Sequence, residues 1–144
     1  MRGSSVAPDR KTERGAAVVE TAFITIFLLI LVTGIIDVGR AIFTNISIQE
    51  AAQEAAVYAA FDESVTVADI AQRAVDSTSS PALNVGDVQV SCVPVPKSVK
   101  NGSRVSVTVS YSLDPITPFV GQWIGSFDLT KTAEAERFYD TCPA

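Results

Sequence analysis

Apolar residues run from Ala16 to Ile36, interrupted only by Glu20, three threonines and Gly34. As a helix rising roughly 1.5 Å per residue, this run covers about 30 Å, the hydrocarbon thickness of a bilayer. From Asp37 to Phe61 there is no proline and alanine dominates the second half, so the same helix is expected to continue outward as a stalk. Ile42, Phe43, Ile46, Ala52 or Gln53, Ala56 and Ala60 approximate one face of that stalk, with Gln49, Glu50, Gln53 and Glu54 on a polar one. Ala51, Ala52, Ala55, Ala56, Ala59 and Ala60 would let another backbone approach closely, either the chain's own sheet or a neighbouring helix.

After the stalk the pattern shortens. Thr66 is placed to cap a helix starting at Val67, with Asp69 in the capping-box position and Val67, Ile70, Ala71, Ala74 and Val75 as its apolar stripe. Ser77-Thr78-Ser79-Ser80-Pro81 ends it, because hydroxyl side chains compete for the backbone and proline disfavours helix in the residue before it. Beyond that loop the period becomes two. Val88, Val90 and Cys92 alternate with polar residues, as do Val105, Val107, Val109, Tyr111 and Leu113.

Lys100-Asn101-Gly102-Ser103 supplies an Asn-Gly turn between these strands, and Pro94 and Pro96 are expected to end regular pairing of the first. Phe127 to Phe138 reads as a last strand, although its alanine and glutamate content also suits a helix. Between the last two strands, Phe119 and Trp123 lie among prolines and glycines, either as a cover for the core or as an exposed patch meeting a membrane or partner. The fold class is α+β: a long N-terminal transmembrane and stalk helix packed on a small antiparallel sheet, with one short additional helix. The corresponding segments are 1–15, 16–36, 37–61 and 62–144.

Charge orients this arrangement. Residues 1–15 carry four cations against two anions, net +2, which leaves −7 for the remainder of a chain whose total is −5. Arg10, Lys11 and Arg14 precede the span and only Arg40 closely follows it, so the N-terminus is expected in the cytoplasm and residues from about Asp37 outside. A secretory signal peptide is the competing reading. Its apolar core is usually about 7–15 residues and ends in a small-x-small site, which the sequence from Gly34 to Arg40 does not offer.

The acidic body has no basic stripe for nucleic acid. With no histidine, the chain cannot build a Ser-His-Asp triad, a Cys-His dyad or a histidine-ligated metal site. A hydrolase using paired carboxylates would need a clustered acidic pair, and none is visible in the sequence. Cys92 and Cys142, both well beyond the span, fit a disulfide in an oxidising compartment better than a metal site; two unpaired buried thiols are the alternative.

Three further charges stand at the ends of the span. Arg14, Asp37 and Arg40 read as membrane-interface residues, with Asp37 and Arg40 at i, i+3 spacing. Glu20 lies inside the run, where a lone carboxylate is costly. It either reaches back to the cytoplasmic surface or Arg14, or it answers a cation within the membrane. A cut after Gly15 would create such a cation, the new amine of Ala16, and Glu20 on another subunit could pair with it.

Gly15-Ala16-Ala17-Val18-Val19-Glu20 resembles a type IV prepilin cleavage site, with glycine before the cut and glutamate at the fifth mature position. The longer strings from Arg14 to Phe23, Gly34 to Ala41 and Ala51 to Ala60 together resemble the TadE-like proteins of the tight-adherence (Flp, type IVb) pilus system. One departure is Thr21, where Flp-type pilins tend to carry tyrosine. The resemblance implies a structural assembly protein without catalysis or cofactor, a minor pilin or pseudopilin. Its implied partners are a prepilin peptidase, other pilin-like subunits, pilus assembly proteins and the lipid bilayer. The other class is a membrane-tethered extracytoplasmic binding module in which the helix is merely an anchor.

Overall fold

The computed structural model describes residues 10–94, 102–117, 121–122, 125–139 and 141–143. Helix α1 runs from Arg10 to Phe61 without a break, and a turn later α2 spans Val67–Asp76. A short 3₁₀ turn, Val85–Asp87, leads into β1 (Val88–Pro94), followed by β2 (Ser103–Leu113) and β3 (Phe127–Arg137). The strands form one antiparallel sheet in the order β1-β2-β3. The α+β class and the short helix at α2 are therefore as the sequence patterns indicate, Gly121 and Gln122 are also helical, and the last segment is strand rather than helix.

The helix begins earlier than expected. Its first residue, Arg10, precedes Ala16 by six positions, so the boundary between leader and apolar run is not a helix boundary. Gly15 sits inside the helix, where glycine is tolerated at a cost of about 1 kcal/mol relative to alanine. Helix α2 starts where its cap dictates: the Thr66 side chain accepts from the Asp69 amide at 3.2 Å, and the Asp69 carboxylate accepts from the Thr66 amide at 3.0 Å.

The sheet's two faces follow its alternation. Val105, Val107 and Val109 are fully buried under α1, flanked by Val88, Val90, Cys92, Tyr111, Leu129, Ala133 and Ala135. The opposite face is wet and polar. Thr108 and Thr132 share a hydroxyl hydrogen bond of 2.9 Å across the strands, and Arg104 lies 3.8 Å from Glu134 and 3.6 Å from Glu136. Pro94 is the last residue of β1, paired with Ser103, as its missing N–H requires. Gly102, from the expected turn, has a positive φ of 150°, and an added Cβ would collide with the Arg137 carbonyl. The other turn residues, Lys100 and Asn101, lie outside the described residues, as do Pro96, Phe119 and Trp123.

One expectation about the stalk is corrected. Ile42, Phe43 and Ile46 are not on the packed face; they are 57%, 59% and 49% exposed. The buried stripe is Thr44, Ser47, Ile48, Ala51, Ala52, Ala55, Ala56 and Ala59, with Ala60 at its edge. Small side chains bring the helix backbone close to a sheet of β-branched residues, and close approach rather than side-chain hydrophobicity selects this face. The alanines thus serve the chain's own sheet, while Gln49, Glu50, Gln53 and Glu54 are exposed as expected. On the flank of α1, Arg73 of α2 donates from Nε to Glu54 at 3.2 Å and lies over the Tyr58 ring at 5.7 Å.

Candidate functional site: the span and its two boundaries

Gly15, Ala16 and Glu20 all lie on the helical N-terminal part of α1, with Ala16 and Glu20 exposed on its surface. Glu20 stands one helical turn beyond Ala16, so the two share a face of a single helix. Arg14 precedes them in the same helix. The three threonines of the apolar run are self-satisfied. Thr21 and Thr25 each donate to the carbonyl four residues earlier at 2.8 Å, and Thr33 does so to Leu29 at 2.9 Å. Their hydroxyls therefore bring no unpaired donor into a membrane, which leaves Glu20 as the ionisable group within the run.

The membrane fit of α1 rests on exposure as well as composition. The helix is long and apolar enough to cross a bilayer, and the rest of the protein covers none of its most apolar window. The core helix of a soluble domain would bury that surface.

At the C-terminal end of the apolar run, Asp37 does more than the sequence indicates. Its carboxylate accepts the backbone N–H of Ile116 and of Thr117, each at 2.9 Å, and also the Thr117 hydroxyl. The residue thereby fastens the chain leaving β2 to the helix. Arg40 supports the same junction, with Nη1 3.7 Å from the Asp37 carboxylate and donating to the Asp114 carbonyl at 3.4 Å. The Thr117 hydroxyl, then the Ile116 and Thr117 amides and lastly Arg40 hold the Asp37 carboxyl below its ordinary value of 3.8, against the opposing effect of desolvation.

A second clasp closes the far end, at a residue that the sequence does not single out. Arg137, only 3% exposed, donates from Nη2 to the Asp62 carbonyl at 2.9 Å, just past the end of α1. A guanidinium there meets the negative end of the helix dipole. Its partner is a main-chain carbonyl 75 residues away, which leaves no motif; the one sequence signal is a cation placed where the strand alternation calls for an inward residue.

Cys92 and Cys142 are joined by a disulfide, with Cα atoms 5.7 Å apart. The bridge ties the C-terminal tail to β1. Ser103 holds the same tail from β2, donating to the Tyr139 carbonyl at 3.0 Å.

Removing the Asp37 charge should loosen the clasp. In Asp37→Asn the Ile116 and Thr117 amides are expected to exchange hydrogen on the order of tenfold faster at neutral pH, because one acceptor oxygen becomes a donor facing donors. A carboxyl whose folded pKa is depressed stabilises fully above its unfolded value and loses that contribution as pH falls through the folded one. The stability difference between wild type and variant should therefore be complete above about pH 4 and vanish in stronger acid. An equal difference in both regimes would show that the charge is not what holds the loop.

The geometry defines a class: an α+β domain clasped at both ends to a helix whose other half is an uncovered, membrane-length apolar rod. Residues 15–57 match the family model for TadE-like protein. That family is pilus-associated and structural rather than enzymatic. The match covers the cleavage-like motif, the apolar run, Asp37, Arg40 and most of the alanine face, and stops before α2 and the sheet. No curated protein and no solved structure gives a match.

Proposed function

We propose that the protein is a membrane-anchored minor pilin or pseudopilin of a Tad (Flp, type IVb) pilus or related secretion machine. Residues 16–36 cross the bacterial cytoplasmic membrane, the leader stays in the cytoplasm and the disulfide-bonded domain lies outside. A prepilin peptidase cuts between Gly15 and Ala16, and the new amine of Ala16 pairs with Glu20 of a neighbouring pilin-like subunit. The observation that carries this reading is the unbroken 52-residue helix, half uncovered and half clasped to the sheet, with a carboxylate one turn beyond the cleavage-like glycine. Such a helix transmits its axial register rigidly to the outer domain, so a charge pair inside the bilayer sets the position of everything outside it.

Intact-mass measurement of the membrane-extracted protein tests the cut, with loss of residues 1–15 expected and an unprocessed N-terminus counting against it. Glu20→Ala tests the pairing. Assembly into the pilus machinery should fall on the order of tenfold or more, whereas a simple tether would tolerate or prefer alanine. The outer domain should unfold as in wild type, because Glu20 lies about 36 Å along the helix from Thr44, where the buried stripe begins. Undiminished assembly of the alanine variant would remove the pairing role.

A further inference from the structure

Between α1 and the lower end of the sheet runs an apolar groove of about 810 Å³. Leu31, Gly34 and Ile35 line one wall, and Leu113, Phe127 and Leu129 line the other. We propose that this groove binds an acyl chain of an outer-leaflet phospholipid, an inference that rests on the reading of 16–36 as a transmembrane span.

Continuity identifies the occupant. The helix wall begins inside the span, so the groove opens directly into the hydrocarbon rather than into water. It extends along α1 from Leu31 to Asn45, about 21 Å at 1.5 Å per residue, and so rises past the end of the apolar run at Ile36 into the headgroup layer. Left empty there, Val38 and Ile42 would expose apolar surface to water or headgroups. Its volume lies within the range of about 300–1,000 Å³ typical of pockets that enclose a small ligand. Independently, the Asp37 clasp holds Ile116, 62% exposed, at the same level, so the end of the sheet presents apolar residues where the bilayer surface falls.

Lipid contact follows without any partner protein. The outer domain then rests on the membrane instead of standing clear on its stalk, and the β2–β3 end of the sheet becomes part of the anchor. Asp37 also lines the groove, but its carboxylate is engaged by the Ile116 and Thr117 amides; an unpaired charge on the sheet wall should evict the chain without disturbing the span.

The test uses the full-length chain reconstituted at one copy per phosphatidylcholine nanodisc, with a trace of phosphatidylcholine carrying a photoactivatable diazirine on its acyl chain. Adducts are mapped by mass spectrometry. The expected result is labelling of both the 31–38 and 127–129 segments. Leu129→Glu should reduce the strand adducts by about tenfold or more while leaving those on 31–38, with the disulfide intact as the check on folding. Labelling confined to the helix would overturn the groove and leave the span standing. Absence of label from 16–36 would overturn the span and the groove together. Strand labelling that is present at one copy per disc but disappears at two would assign the groove to a second copy and overturn lipid as its occupant in the assembled state.

Discussion

Replacing both Cys92 and Cys142 with alanine is expected to destabilise the outer domain by about 4 kcal/mol, the loop-closure value for a separation of 50 residues. For a domain of this size the loss corresponds to a fall of roughly 20 °C or more in Tm. The effect is large because the core is small: one sheet of three strands, an alanine face and one short helix. Among the described residues the tail is held besides by the Ser103 hydroxyl, 3.0 and 3.3 Å from the Tyr139 and Thr141 carbonyls, by Phe138 beside the Phe61 ring and by Arg137 over the Tyr139 ring, contacts that do not replace a covalent closure. Urea unfolding of the full chain in detergent, compared with wild type, measures the change. Equal midpoints would mean that the unfolded chain gains nothing in freedom when the bridge is absent. Reductant acting on wild type should reproduce the shift, and this dependence suits a domain facing an oxidising compartment.

The elements of this fold are legible in the sequence because most have a local cause. The cap at Thr66 and Asp69 lies within four residues and the alternation of β2 is uninterrupted, while Phe127–Arg137, ambiguous by itself, becomes strand by pairing residue for residue along the length of β2. The face of α1 is not legible in the same way. Ile42, Phe43 and Ile46 carry more hydrophobicity than the alanines and attract the reading, yet a helix lying close against a sheet needs small residues at the contact.

The two clasps escape for a different reason. Asp37 and Arg137 are charged side chains held mainly by main-chain groups 75 to 80 residues away, and main-chain groups have no sequence signature. Asp37 is recognised as a boundary residue from its place after the apolar run, but its attachment to the loop beyond β2 emerges only from the fold. The motif around Gly15 and Glu20 is the opposite case. It is plain in sequence, while among the described residues Ala16 and Glu20 are exposed on the helix, so the fold adds nothing that would single them out.

Ile48→Ala is expected to destabilise the outer domain by about 3 kcal/mol, within the roughly 2–5 kcal/mol observed when a buried aliphatic side chain is truncated. Ile48 is fully buried in the seam between helix and sheet, and the alanines around it have no longer side chains with which to fill the space. The same closeness makes the seam intolerant of additions, so Ala55→Leu should cost about 1–3 kcal/mol by forcing the backbones apart. Two residues earlier than Ile48, the side chain lies on the other side of the helix. Phe43→Ala and Ile46→Ala should therefore change unfolding by no more than about 0.5 kcal/mol, despite removing as much or more apolar surface. Urea titration of the four variants in detergent separates the two faces of the stalk. If Phe43→Ala proved as damaging as Ile48→Ala, the helix would be rotated from the packing described, and the corrected assignment of its buried face would fail. If only the seam variants unfold early, the exposed stripe is free of any duty to the fold, and loss of assembly in Phe43→Ala or Ile46→Ala would then report directly on contacts made outside the chain.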